Sequence, residues 1–213
     1  DDWLDQLRQR TQPQETQVWL GLEPGNVTET LNKSDGPQPR SIKLLKLYVR
    51  SIVAAACGVS VPGWVVGLDA CLYIAPWGQE QAHSALAQLL RMWQQGQQQP
   101  LPLPSATAWA YVQALHKKNA KAVDDADTRQ RKALEEAEKK FAGDNQRQGQ
   151  PEGEDPYWGR LYGDFDALIK DGRFEQWAEH VYSWLHVWAQ ECITVHAFAA
   201  LPAALTAATK DSV

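Results

Sequence analysis

Hydrophobic and polar positions alternate along two stretches near the start of the chain, and these stretches predict a short β-hairpin. The expected strands are Val18–Leu22 and Val27–Leu31, joined by a turn at Pro24-Gly25-Asn26. A second hairpin is expected from the β-branched runs Val61–Val66 and Leu72–Ile74. The sequence therefore predicts a small sheet.

Apolar residues at helical spacing predict more helices than strands. The first ten residues look helical, because Trp3, Leu4 and Leu7 would share a face. The clearest helix follows Ser41, the expected N-cap, and ends at Gly58, the expected C-cap. The expected buried stripe of this helix consists of Ile42, Leu45, Val49 and Ile52.

Three further helices are predicted along the rest of the chain. One ends near Gly96. The following sequence QQQPLPLPS cannot continue the helix, because each proline lacks a backbone N–H and pushes the residue before it into an extended conformation. The next is expected to be capped by Ser105, and the last to run from about Phe174 to Cys192. The inward-facing residues expected on these helices are Leu86, Leu89, Leu90, Trp93, Trp109, Val112, Leu115, Trp177, Val181, Trp184, Leu185 and Trp188.

Between these helices the chain becomes strongly charged. Residues 117–143 read KKNAKAVDDADTRQRKALEEAEKKFAG, where acids and bases alternate, so a solvated helix with i,i+4 charge pairs is expected here. A polar loop follows it. We predict one helix-rich α/β domain over residues 1–213, as a fragment of a longer chain, with residues 117–156 as a charged helical and loop excursion within it.

Composition narrows the possible functions. With 21 basic and 26 acidic residues the net charge is −5, so no global field draws the chain to phosphate backbones. The three cysteines, Cys57, Cys71 and Cys192, lie far apart and are expected to be buried thiols in a reducing cytosol. No apolar run is long enough to span a bilayer, which predicts a soluble, cytoplasmic protein without membrane contact.

The histidines near the end of the chain do not have the spacing of a metal site. His180, His186 and Cys192 follow one another in six-residue steps, which turn each side chain about 240° from the last on a helix. Only Cys192 and His196 would share a face, whereas a helical zinc site needs several such pairs. No phosphate-binding loop of the Gly-x-x-x-x-Gly-Lys-Ser/Thr type occurs either.

The first predicted hairpin has the outline of a magnesium nuclease site. In nucleases of the PD-(D/E)XK type, one strand supplies an aspartate, and the next supplies an acid followed two residues later by a lysine. Side chains two residues apart on a strand point the same way, so if Lys33 is the lysine of this pattern, the second acid is expected at Leu31. On the first strand, the aspartate is expected at Gly21. Neither residue can ligate magnesium, and the hairpin is interpreted as a vestigial site.

Two carboxylates, Glu23 and Glu29, are weak alternative ligands. Each lies two residues from the required position, which displaces it by about 6 to 7 Å along its strand. A magnesium shell with bonds of about 2.1 Å does not tolerate such a shift. The prediction is therefore a protein without catalytic residues, metal or cofactor.

Three stretches of the sequence resemble the C-terminal region of RecC, the gamma subunit of the bacterial exodeoxyribonuclease V (RecBCD) complex. They are GQEQAHSALAQLLRMWQQGQQQPLPLPSATAWAYV, KFAGDNQRQGQPEGEDPYWGRLYG and LLKLYVRSIVAAACG. Shared features are a helix that ends in glycine before Pro-Leu-Pro, Trp109 in the next helix, and acidic Gly-Glu-Asp before Tyr157, Trp158 and Arg160-Leu161-Tyr162. The likeness extends over most of residues 18–165.

The resemblance implies a degenerate restriction-endonuclease-like core, similar to the nuclease domain of the RecB subunit but inactive. It also implies a scaffold for RecB-like and RecD-like helicase subunits that guides DNA strands at broken ends, in double-strand break repair and homologous recombination. The parent complex is an ATP-dependent exodeoxyribonuclease and helicase. For this domain alone we expect weak DNA binding and no enzymatic activity.

Two alternatives remain open from the residues themselves. The chain could be an active magnesium-dependent nuclease of the same fold with displaced carboxylates. It could also be a stand-alone helical interaction protein unrelated to DNA.

Overall fold

The fold is mixed α/β and helix-rich with a small sheet, as predicted. The computed structural model describes residues 7–10, 16–29, 36–117, 125–143 and 150–198. The chain forms two compact units. Unit 1 comprises Asp1–Met92 and Trp188–Val213, and unit 2 comprises Trp93–Val187. The single domain expected over residues 1–213 stays a prediction, because compact units and domains need not coincide.

Unit 1 contains a five-stranded mixed sheet. Its strands are β1 (Leu7–Arg10), β2 (Thr16–Leu22), β5 (Gly63–Val66), β6 (Cys71–Ile74) and β7 (Ile193–His196), in the order β1-β2-β5-β6-β7. Only the β2–β5 pair is parallel, and the other three pairs are antiparallel. A parallel pair needs a crossover connection, which the helix α1 (Ser41–Ala56) supplies.

The first predicted hairpin is wrong. Strand β2 pairs with β1 on one edge and with β5 on the other, so neither edge is left for the segment from Val27 onward. Thr28–Glu29 (β3) pairs instead with Gln38–Pro39 (β4) in a separate two-stranded sheet. The pattern of apolar residues shows that a strand forms, but it does not identify which strand lies beside it.

The other strand predictions have mixed outcomes. The second hairpin is confirmed, since β5 and β6 pair antiparallel with Val66 opposite Cys71. Leu7–Arg10 is a strand rather than part of a helix, because its pairing with β2 outweighs a helical signal of only three apolar residues. The strand β7 is not predicted from the sequence, because its four residues directly follow a helix.

The helix α1 is confirmed, but its buried face differs from the predicted stripe. Its N-cap is Arg40 rather than Ser41, and Gly58 closes its C-terminal end at a φ of +84°. Val49 is 38% exposed. The buried residues of the helix are Leu44, Leu47, Tyr48, Ile52 and Ala55.

Aromatic side chains fill the core of unit 1 beside α1. Tyr48 packs edge-on against Trp77 and Trp188, at ring centroid distances of 5.9 and 5.2 Å. Burial raises the pKa of Tyr48 to about 12. Trp188 also stacks on Trp77. Trp77 and Trp188 therefore contribute to the core rather than only to the surface.

Four of the remaining helices agree in position with the sequence pattern, namely α2 (Gln79–Gln98), α3 (Ser105–Leu115), α4 (Ala126–Phe141) and α7 (Arg173–Cys192). The short helices α5 (Pro156–Leu161) and α6 (Phe165–Ile169) are not predicted from the sequence. The charged stretch forms α4, within the predicted excursion. The part of that excursion at residues 118–124 and 144–149 lies outside the described residues.

Two predicted inward-facing tryptophans are exposed. Trp93 on α2 is 62% exposed, and Trp184 on α7 is 55% exposed. The part of α7 in unit 2 buries the stripe of Phe174, Ala178, Tyr182 and Leu185. Trp184 therefore lies outside that stripe, although its neighbour Leu185 is 2% exposed.

The cysteine side chains differ in burial. All three cysteines are free, but Cys71 alone among them is buried, whereas Cys192 is half-buried and Cys57 is exposed, so the prediction of three buried thiols is wrong at Cys57 and Cys192. Within the described ranges, no helix combines the length and the apolarity needed to cross a membrane.

A distant carboxylate caps α3, where Ser105 was the expected cap. The N-cap residue is Pro104, whose side chain has no acceptor. The Glu152 side chain accepts hydrogen bonds from the N–H groups of Ala106 and Thr107, at 3.1 and 2.8 Å. It also accepts from the hydroxyls of Ser105 and Thr107. Glu152 thus satisfies donors that would otherwise lie unpaired at the helix start.

We expect Glu152→Ala to lower the free energy of unfolding by about 2 kcal/mol, because the buried Thr107 donors lose a charged acceptor. Glu152→Gln retains one acceptor oxygen and should lose about half as much. Urea denaturation followed by circular dichroism measures both. The matched control is Glu154→Ala, an equal charge change in the same turn, and equal losses for the two alanine variants would contradict the capping role.

Candidate functional site

The parallel strands β2 and β5 end side by side, with Leu22 opposite Val66. In open α/β sheets ligands bind beyond the carboxyl ends of parallel strands, so a functional site is expected at this edge of the sheet. The N–H of Glu23 donates to the carbonyl of Val66 at 2.9 Å, which continues the pairing past both strands. We call Glu23, Thr28, Lys43 and Asp69 the carboxyl-end cluster.

The first carboxylate of the cluster is paired with a lysine. Lys43 lies in the first turn of α1, and its Nζ is 2.5 Å from Oε2 of Glu23. The two side chains are 31% and 19% exposed. This ion pair ties the start of the crossover helix to the end of β2. The half-buried position makes it less screened than a surface pair.

The second carboxylate holds the chain that follows β2. Oδ1 of Asp69 accepts from the N–H of Val27 at 2.8 Å, and Oδ2 accepts from both the N–H and the hydroxyl of Thr28. Desolvation acts to raise the pKa of Asp69, but the hydrogen bonds from Thr28 and Val27 outweigh it and lower the pKa. Asp69 is therefore held in its ionised form by the backbone that it positions.

Close packing of Val27 against Gly67 completes this arrangement. Val27 is fully buried, and a Cβ on Gly67 would lie 2.6 Å from a methyl carbon of Val27. The N–H of Leu68 donates to the carbonyl of Gly25, and the N–H of Arg40 donates to the carbonyl of Val27. The loop between β2 and α1 is therefore anchored from several sides.

Comparison with known proteins adds the family. A family model described as the RecC C-terminal domain matches residues 1–116 of the chain. The chain belongs to this RecC C-terminal domain family. The match covers β1 to β6 and the helices α1 to α3, so it includes the whole carboxyl-end cluster. A search of curated proteins finds no match.

In this RecC family member the strand that holds Gly21 does not pair with the strand that holds Glu29. Gly21 is buried in β2 opposite Val65, and Glu23 pairs with Lys43. Glu29 lies in β3, whose partner is β4. Leu31 and Lys33 lie outside the described residues, so their predicted role stays a prediction.

The histidines considered for metal binding are packed against aromatic rings. His186 is stacked with His116 and tilted against Trp109, with centroid distances of 5.5 and 5.8 Å. His196 is tilted against Trp64 at 5.4 Å. Among the described residues, no three His, Cys, Asp or Glu side chains form a group that could hold a metal ion.

Sequence reasoning did not identify Lys43, Asp69 and Thr28 as parts of the same cluster. Asp69 lies in the turn expected between β5 and β6, where an aspartate commonly bonds nearby backbone. Its actual partners are 41 and 42 residues away. The sequence does contain an acid directly after β2 and a lysine in the first turn of α1. Nothing in the sequence shows that they pair, because the parallel topology of β2 and β5 is what brings them into contact.

Within the carboxyl-end cluster, both carboxylates stabilise the fold. Lys43 neutralises Glu23, and the two oxygens of Asp69 accept bonds from Val27 and Thr28. A magnesium ion requires several oxygen ligands in near-octahedral geometry. The contacts of the cluster therefore anchor the segment that follows β2.

We expect Asp69→Asn to lower the free energy of unfolding by about 1 kcal/mol at about pH 7, because the amide group cannot accept all three hydrogen bonds. The folded pKa of Asp69 is lowered, so its contribution is present above the unfolded pKa and is lost as the pH falls through the folded pKa. The difference between wild type and variant should therefore shrink as the pH falls from the unfolded pKa of an aspartate, about 3.9, through the lowered folded pKa. Urea denaturation at several pH values measures this.

The matched control for this pH series is Asp166→Asn, an exposed aspartate on α6. It removes one negative charge without removing the anchor of Val27. If both variants lose the same stability, or if the Asp69→Asn difference stays constant in acid, the anchoring role is wrong.

Proposed function

We propose that this chain is a non-catalytic RecC C-terminal domain that scaffolds a RecBCD-type helicase–nuclease. In this role it contacts RecB-like and RecD-like motor subunits and guides the DNA strands of a broken end during double-strand break repair and homologous recombination. The observation that carries the proposal is the family match over residues 1–116. The expected location is the bacterial cytoplasm.

The state of the carboxyl-end cluster supports a role without catalysis. A magnesium nuclease needs carboxylates that are free to bind the ion and a lysine that is free to stabilise developing charge. Here Glu23, the alternative ligand after β2, is bound to Lys43, with 2.5 Å between Oε2 and Nζ. The domain is therefore proposed to need no metal or cofactor. Its core is proposed to be a degenerate restriction-endonuclease-like fold, supported by the mixed sheet with its helical crossover.

Exposed apolar residues support an assembly role. Leu22 is the last residue of β2, and Leu68 lies two residues after the end of β5. Their side chains are 73% and 69% exposed. Tyr157, Trp93 and Trp184 are also more than half exposed. Large apolar side chains that stay in solvent are common where partner proteins bind. The net charge of −5 favours protein partners over strong DNA binding by the domain alone.

The scaffold role is tested by a pull-down. The tagged chain is expected to retain RecB-like and RecD-like subunits from the same organism, whether or not DNA is present. Retention of neither subunit would remove the proposal. An unrelated helical protein of similar charge, carrying the same tag, serves as the control for non-specific capture.

The absence of catalysis has its own experiment. We expect no cleavage of linear or single-stranded DNA by the purified chain at millimolar magnesium, measured on radiolabelled ends. Magnesium-dependent cleavage that is lost in Glu23→Ala or Glu29→Ala, but kept in the matched exposed control Glu80→Ala, would establish the displaced-carboxylate nuclease instead.

A further inference from the structure

Unit 2 exposes an apolar and cationic surface on the short helix α5. Tyr157 and Leu161 are 79% and 47% exposed, and they lie four residues apart. Arg160, directly before Leu161, is also exposed. Residues three and four apart lie on the same side of a helix, so the three side chains form one surface. We call it the α5 face.

The opposite side of α5 packs against the turn that precedes it. A Cβ added to Gly159 would lie 3.1 Å from the carbonyl oxygen of Gly153, so the glycine permits a close approach of the two segments. The N–H of Tyr157 donates to Oδ1 of Asp155 at 2.9 Å, which caps the start of the helix. A surface that is already ordered in this way loses little conformational entropy when a partner binds.

A third side of α5 is packed by its own aromatic rings. Trp158 stacks with Tyr162 at a centroid distance of 6.3 Å, and both side chains are half-buried. Tyr157, one residue before Trp158, has no such cover at 79% exposure. The large exposed side chains of α5 are therefore concentrated on the α5 face.

The composition of the α5 face is typical of the centre of a protein–protein interface. Tyrosine and arginine are enriched among the residues that contribute most to binding energy. An exposed leucine beside them adds apolar area that a partner can cover. The face is small, so we expect it to hold the central contacts of a larger interface.

The charge of the face comes from Arg160 alone. Among the described residues, no ion pair or hydrogen bond involves its guanidinium. The carboxylates on either side of α5, Asp155 and Asp164, accept backbone N–H groups at the starts of α5 and α6. A guanidinium without a partner, flanked by apolar side chains, fits a carboxylate through two parallel N–H···O bonds.

A carboxylate fits this single cation better than nucleic acid does. A DNA strand carries one phosphate for each nucleotide, and its binding normally uses several cations along the backbone. The α5 face offers one cation, on a chain with a net charge of −5. The charges therefore favour a protein partner with an acidic side chain.

We propose that the α5 face binds an acidic segment of a partner subunit. A carboxylate of that segment pairs with Arg160, and a neighbouring apolar side chain packs between Tyr157 and Leu161. This inference rests on the proposed scaffold role, and it assigns one surface by which the domain holds a motor subunit.

Binding of the full chain to purified RecB-like and RecD-like subunits, measured by surface plasmon resonance, tests the charge of the face. Arg160→Glu is expected to weaken binding of one of the subunits about tenfold or more, because it places two like charges together. The matched control is Lys170→Glu, the same charge change at an exposed position outside α5, which should bind as the wild type does.

The aromatic contact is tested at Tyr157. Tyr157→Ala is expected to weaken binding about tenfold, whereas Tyr157→Phe keeps the ring and should bind nearly as well as the wild type. Circular dichroism verifies the fold of each variant. A photoreactive benzoylphenylalanine in place of Tyr157 is expected to crosslink to a segment of a motor subunit that contains aspartate or glutamate.

The possible outcomes separate this inference from the scaffold role. Equal affinities of the wild type, Arg160→Glu and Tyr157→Ala would overturn the α5 face and leave the scaffold role intact. A wild-type chain that binds neither subunit would remove both. A crosslink to a basic segment, or to a second copy of the chain, would show that the occupant is wrong. Oligothymidylate binding that Arg160→Glu weakens, with subunit binding unchanged, would assign the face to nucleic acid.

Discussion

The parallel pairing of β2 with β5 is the constraint on which the rest of unit 1 depends. Two adjacent parallel strands cannot be joined by a tight turn, so the chain must leave the sheet and return through α1. The same pairing brings the segments after Leu22 and after Val66 together. Lys43 and Asp69 then fix the loop from the helix side and from the hairpin side. A sheet of purely antiparallel hairpins would have left these residues apart.

The sequence predicts the elements of this fold better than their partners. Helical spacing identifies α1, α3 and α7 because each has a long periodic apolar pattern. The neighbour of β2 is missed because strand pairing depends on residues far apart in the chain, whereas the apolar pattern is local. The cap of α3 is missed for the same reason, since it comes from the distant Glu152.

The candidate site shows the same limit at the level of single side chains. Inspection of the residues after β2 identifies Glu23 as a carboxylate near a possible site, and that much follows from strand alternation. Its partner Lys43 is 20 residues away, and no spacing rule joins them. Exposure is also hard to predict for tryptophan. Trp188 is 3% exposed while Trp184, one helical turn earlier, is 55% exposed.

The bond between Glu152 and the start of α3 has a consequence for changes in the length of the chain between them. It closes a loop of 45 residues, because Glu152 and Thr107 are that far apart in sequence. The entropy of closing a loop grows slowly with length, by about 0.6 kcal/mol for each doubling. Insertions and deletions in the polar stretches that flank α4 should therefore cost little, as long as the two anchoring residues remain. The chain can therefore change in length here and keep the same helix start.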